Sequence, residues 1–238
     1  MSIQTQTLDY RDGDVALEAF VAFNDQTAGP RPVVLIGHQW GGRDGFVEDH
    51  ARRLAAAGYL GFALDMYGKG VRGNSIEENS ALMGPFMEDR KRVRSRMLAA
   101  LNTACGLPQA DATRVAAIGF CFGGLCALDL ARSGADVRGV VSFHGLLKPS
   151  GLAAHPIGAK VLVLHGADDP LAPMEDVVAL RAELDAAGCD WQLHLYGGAK
   201  HAFAVPGTNV PDIGAKHHTD AERRSIATCD AFLAEVLG

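Results

Sequence analysis

Along this chain, short apolar runs alternate with longer stretches whose apolar positions recur at helical spacing. Val33 to Ile36 is a continuous apolar run of the kind that forms a strand covered on both faces. Phe46 to Ala57 follows with an apolar helical face and stops at Gly58, and Leu60 to Leu64 is the next buried strand. The same unit recurs. A helix is predicted over Pro85 to Ala104, a strand over Arg114 to Ile118, a helix after Cys121 and a strand over Val137 to Phe143. The second half continues with a strand over Lys160 to Leu164, a helix over Met174 to Ala187 and a strand over Trp191 to Tyr196. A final helix starts with Thr219 and Glu222 at capping-box spacing. An extended segment, Val15 to Phe23, precedes all of these, and the polar, glycine-bearing stretch Met66 to Ser80 reads as a surface loop.

Strands alternating with helices imply an α/β chain with a mostly parallel sheet and helices on both faces. No internal repeat and no long Pro- or Ser-rich linker divides the 238 residues, so one domain spanning 1–238 is expected. Ligands of such folds bind on the loops at the carboxyl ends of the strands.

Composition narrows the partners. A net charge of −6 gives no basic footprint for nucleic acid, and Arg90, Lys91, Arg92, Arg94 and Arg96 read as the solvated face of one helix. The five cysteines form an odd set with no close CxxC pair, which fits reduced thiols in a cytoplasmic protein. The start, Met1, Ser2, Ile3, Gln4, lacks the basic and apolar segments of a signal peptide, and no apolar run reaches membrane-spanning length. A soluble, cytoplasmic protein without a nucleic-acid or membrane partner is expected. Neither GxGxxG nor GxxxxGK occurs, and no HExxH or similar ligand spacing is present, so no cofactor and no metal are expected.

The chemistry is concentrated in the run Gly119, Phe120, Cys121, Phe122, Gly123, Gly124, which lies between two apolar stretches. This is the GxSxG nucleophile elbow with cysteine in place of serine, a sharp strand-to-helix turn flanked by glycines because a Cβ would clash. A thiol at a helix N-terminus is favourably placed to ionise. The α/β-hydrolase topology then requires an acid and a histidine downstream, in that order. His165, Gly166, Ala167, Asp168, Asp169 and Pro170 directly follow one strand, and Gly197 to Phe203, with His201, directly follow the last. Among nine histidines, His201 alone directly follows that last strand; Asp168 and Asp169 compete for the acid. Backbone amides of Phe122 and Trp40 are placed to form an oxyanion hole, Trp40 lying in the glycine-bearing loop Gly37 to Gly42.

These motifs together resemble the dienelactone hydrolases, α/β-hydrolases with a Cys, Asp, His triad. The resemblance runs from Gly37 to the segment around His201 and rests on the cysteine elbow, on Gly166 to Pro173, which is similar to GxxDxxxP, and on His201, Ala202, Phe203. It implies Asp169 as the acid, and Asp65, Met66, Tyr67, Gly68 resembles a further DxYG stretch. Two positions depart from the family. Gln39 stands where members commonly carry a glutamate that helps to activate the thiol, and Val205 stands where dienelactone-cleaving members carry an arginine for the substrate carboxylate. An amide takes up no proton at neutral pH, so His201 alone must deprotonate the thiol. Gln39, Tyr67, Arg72, Arg90 and Phe203 are the expected pocket residues, and a small-molecule ester or lactone is the expected substrate, the absence of the arginine leaving a neutral one open. A non-catalytic binding protein, or a thioesterase, thiol peptidase or acyl transferase on the same triad, is the alternative.

Overall fold

A computed structural model describes residues 2–153 and 155–238. The chain divides into two compact units, 1–117 and 118–238.

In the first unit, β1 (Ile3–Asp12) and β2 (Val15–Asn24) form an antiparallel hairpin closed by the pair Asp12 and Val15, with Gly13 at φ 57° in the turn. β3 (Arg31–Gly37), α1 (Gly45–Ala56) and β4 (Leu60–Ala63) make the first strand-helix-strand unit. β3 pairs parallel to β4, and β2 pairs antiparallel to it. Val33 to Ile36 and Leu60, Phe62 and Ala63 are wholly buried, as apolar runs without polar alternation require. α1 starts where the Asp44 carboxylate accepts from Val47 N and buries Val47, Ala51, Leu54 and Ala55 along one face.

Two helices then stand where one was predicted. α2 (Ile76–Glu88) and α3 (Arg90–Cys105) are separated at Asp89, whose extended backbone breaks the helix and whose carboxylate caps Lys91 N at 3.1 Å. Ser75 starts α2 by accepting from Glu78 N at 3.1 Å, so the stretch Met66 to Ser80 is not loop throughout. Nor is the basic cluster of α3 a solvated face throughout. Arg90 is buried, and Arg96 pairs with Asp12 and donates to Met66 O.

β5 (Ala110–Phe120) leads into the second unit, where α4 (Phe122–Arg132) is buried along its whole length. β6 (Gly139–Phe143), β7 (Lys160–Gly166), α5 (Met174–Ala186) and β8 (Trp191–Tyr196) follow. β6 pairs parallel to β7, and β7 to β8. The short antiparallel pair β9 (Asn209–Val210) and β10 (Ala215–Lys216) precedes α6 (Thr219–Leu237). The N-cap of α6 is His218 rather than Thr219, because the His218 ring accepts from Ala221 N while Glu222 is engaged by His217 at 2.6 Å. The eight-stranded order is β1-β2-β4-β3-β5-β6-β7-β8. Among the described residues no helix is long and apolar enough to cross a membrane.

α1 lies on β4 at backbone distance, since a Cβ at Gly61 would come within 2.7 Å of Ala51 O. Gly61→Ala should therefore destabilise the fold by about 1–3 kcal/mol, the usual cost of overpacking, read as a lower urea midpoint at unchanged slope.

Candidate active site

The second unit brings Cys121, Asp169 and His201 together from the ends of β5, β7 and β8. Cys121 sits between β5 and α4 with φ 55° and ψ −116°, a left-handed conformation that a side chain adopts only where its surroundings enforce it. Those surroundings are tight. A Cβ at Gly119 would come within 2.0 Å of Gly123 O, and one at Gly124 within 2.7 Å of Ser142 Oγ. Cys121 N donates to Phe143 O at 3.0 Å, and Cys121 O accepts from Gly124 N at 3.0 Å, so the turn is tied both to β6 and to the first turn of α4. Phe122 N–H opens that helix, where the dipole favours negative charge.

After β7, Gly166 allows the chain to close on the turn that follows β8: a Cβ there would lie 2.5 Å from Ala199 O. Asp169 N donates to Gly166 O at 3.1 Å, and Asp169 Oδ1 accepts from Leu171 N at 2.8 Å and Ala172 N at 3.2 Å. Its Oδ2 is left to accept from His201 Nδ1 at 2.8 Å. Asp168 is exposed, and its N donates to Ala199 O at 3.0 Å. Of the two competing aspartates, the geometry joins Asp169 to the histidine.

His201 is buried, and its carbonyl accepts from Lys216 N of β10 at 2.9 Å. Burial pulls its pKa down, but the facing Cys121 and the charge and hydrogen bond of Asp169 outweigh it and raise the pKa to about 10. Two further histidines stand near it. Burial holds both His144 and His165 below the ordinary histidine value, His144 well below. His165 donates through Nε2 to Ala172 O at 2.9 Å and so braces the acid turn. Sequence reading missed both; the only signal was their position at the ends of β6 and β7.

The remaining expected residues divide. In the first unit, Gln39, Trp40 and Arg72 line one cavity of about 320 Å³ together with Asp44, Asn74 and Asn79. His38 orients this loop, its Nδ1 donating to Gln39 O at 2.5 Å and its Nε2 accepting from Met66 N at 3.1 Å. Tyr67 donates to Trp40 O at 2.8 Å and packs on His38 and Phe86. Arg72 is half-exposed, 4.0 Å from Glu48. Arg90 is buried on α3 and is not among the residues lining this cavity. In the second unit, Phe203 is fully buried against His144 and Tyr196.

One pH dependence follows from the pair. In the wild type, His201 should keep its proton through neutral pH and lose it only as pH rises towards about 10. Cys121→Ala removes the leading cause that raises it and leaves burial, which lowers it. An NMR titration of the His201 ring should then show its midpoint moving to lower pH; an unchanged midpoint would mean that thiol and imidazole do not interact.

Comparison with known proteins gives the family. The family model described as "Dienelactone hydrolase family" matches residues 17–237. A Yersinia pestis protein named "Putative carboxymethylenebutenolidase" is 30% identical over 200 residues, covering 79% of this chain and 74% of that one. The crystal structure of the dienelactone hydrolase-like promiscuous phosphotriesterase P91 from metagenomic libraries superposes with TM-score 0.94 at 34% identity over 100% of both chains. A Klebsiella pneumoniae protein described as "Putative Dienelactone Hydrolase", at 23% identity and TM-score 0.83 over 98% of this chain and 99% of that one, shares the fold. The chain has the α/β-hydrolase fold and is a hydrolase that belongs to the dienelactone hydrolase family.

Proposed function

We propose that this protein hydrolyses a carboxylic ester or lactone by covalent catalysis on Cys121. The observation that carries the reading is the buried hydrogen bond of 2.8 Å from His201 Nδ1 to Asp169 Oδ2, beside a cysteine held at φ 55° in the strand-to-helix turn. The Cys121 thiolate attacks the carbonyl carbon. Negative charge passes to the carbonyl oxygen, where the Phe122 amide at the start of α4 is the nearest donor in sequence to the nucleophile. As the tetrahedral species collapses, the C–O bond breaks and the leaving alkoxide takes the proton from His201 Nε2. Water then attacks the thioester, gives its proton to His201, and the C–S bond breaks to restore the thiolate and release the acid.

Asp169 accepts from Nδ1 throughout, which fixes the tautomer of His201 and stabilises its cation. Its own position is supported by the two amides at Leu171 and Ala172. With Gln39 and Val205 replacing the family's glutamate and arginine, the substrate is proposed to be neutral. The relation to P91 favours a second activity on phosphotriesters, in which the same thiolate attacks phosphorus, the P–O bond to the leaving group breaks as that group takes the His201 proton, and water, giving its proton to His201, then cleaves the P–S bond.

Kinetics on neutral aryl esters and lactones test the assignment. Asp169→Asn should lower kcat by about 10³–10⁴-fold with the fold intact. Cys121→Ala should leave no turnover above background; a Cys121→Ala enzyme with full activity would give the nucleophile to another residue.

A further inference from the structure

Among the described residues, three other than glycine have a left-handed backbone: Cys121 at φ 55°, His144 at φ 36° and Ala202 at φ 57°. Such conformations persist where surrounding structure over-determines them, and they gather at functional sites. One of the three, Cys121, is the nucleophile of the proposed triad, and a second, Ala202, follows its base. His144, at the end of β6, has no part in it.

Its surroundings enforce the strain. His144 N donates to Leu164 O at 2.8 Å, and the next residue is pressed so closely that a Cβ at Gly145 would come within 2.1 Å of Ser142 Oγ and 3.2 Å of Gly124. The side chain exposes no surface. The ring stands edge to face against His201, with centroids 5.3 Å apart and planes at 71°, and against Phe203 at 5.4 Å and 80°. Phe120 lies tilted beside it at 6.0 Å. Neither ring nitrogen has a hydrogen-bond partner among the described residues. A buried imidazole without partners costs stability that an apolar side chain would not. Strain and unmet polarity thus fall on one residue, and its contact with His201 is what distinguishes it from the core around it.

We propose that His144 is a positioning residue for His201. Its uncharged ring forms the wall that fixes the plane of the His201 imidazole, keeping Nδ1 on Asp169 and leaving Nε2 for Cys121, and it keeps water from that face of the ring. Burial keeps His144 neutral, so it does not repel the His201 cation. The role rests on the proposed part of His201 as base, but it acts on the His201–Asp169 bond and is visible without turnover.

The test reads the His201 Nδ1 proton by NMR, assigned by its loss in His201→Gln, together with steady-state kinetics. In the wild type that proton should be protected from solvent exchange; rapid exchange there would overturn the proposal outright. His144→Asn tolerates the left-handed backbone but lacks a ring, and should lose the protection and lower kcat by about 10²-fold, the cost of a small misplacement, with KM unchanged. His144→Phe restores a planar ring and should recover both readings. If His144→Asn keeps protection and kcat, or if a folded His144→Phe loses both, the ring does not position His201. Repeating the exchange measurement in Cys121→Ala separates the two accounts, since that variant should keep the protected proton even if Cys121 proved not to be the nucleophile.

Discussion

A cysteine held at φ 55° between a buried strand and a buried helix is the constraint from which the rest of the site follows. The turn is so tight that Gly119 and Gly123 touch at backbone distance, and the amide of Cys121 is spent on β6. The side chain of residue 121 is therefore directed by the backbone rather than by its own rotamer preferences. Strained residues cost about 1–3 kcal/mol each, and this one persists because α4, wholly buried, and β6 fix both of its flanks.

Given a thiol fixed there, the electrostatics of the second unit form one system. Asp169 has one oxygen committed to two backbone amides and the other to His201. His201, in a buried setting that favours its neutral form, has its pKa raised by the facing Cys121 and Asp169. Burial lowers the pKa of the two histidines nearby, and for His144 the facing His201 lowers it further. One residue type thus appears in two charge states within one cluster, set by which groups each ring faces.

Much of this was legible in the sequence. Buried strands announced themselves as unbroken apolar runs, Val33 to Ile36 and Leu60 to Ala63 among them, because a strand covered on both faces needs no polar positions. The sharp turn was legible because glycine is required at Gly119, and the order of Cys121, Asp169 and His201 because each lies in a turn that comes after a strand. What periodicity missed was local capping. Asp89 divides a helical stretch with one carboxylate, Ser75 begins a helix inside an apparent loop, and His218 takes the cap expected of Thr219. The hairpin partner β1 was missed because its exposed side chains follow no buried pattern. His144 was illegible as part of the site, since its meaning lies in a backbone angle and a ring contact that no spacing encodes.

In the proposed mechanism the Cys121 sulfur carries the acyl group between the two half-reactions. Rapid quenching of the wild type during turnover of a slow ester, followed by peptide mapping by mass spectrometry, reads out that intermediate. The expected result is the mass of the substrate's acyl group on the peptide containing Cys121. Turnover of the same ester with no acyl group on that peptide, or with the acyl group on Cys126 or another side chain, would contradict it.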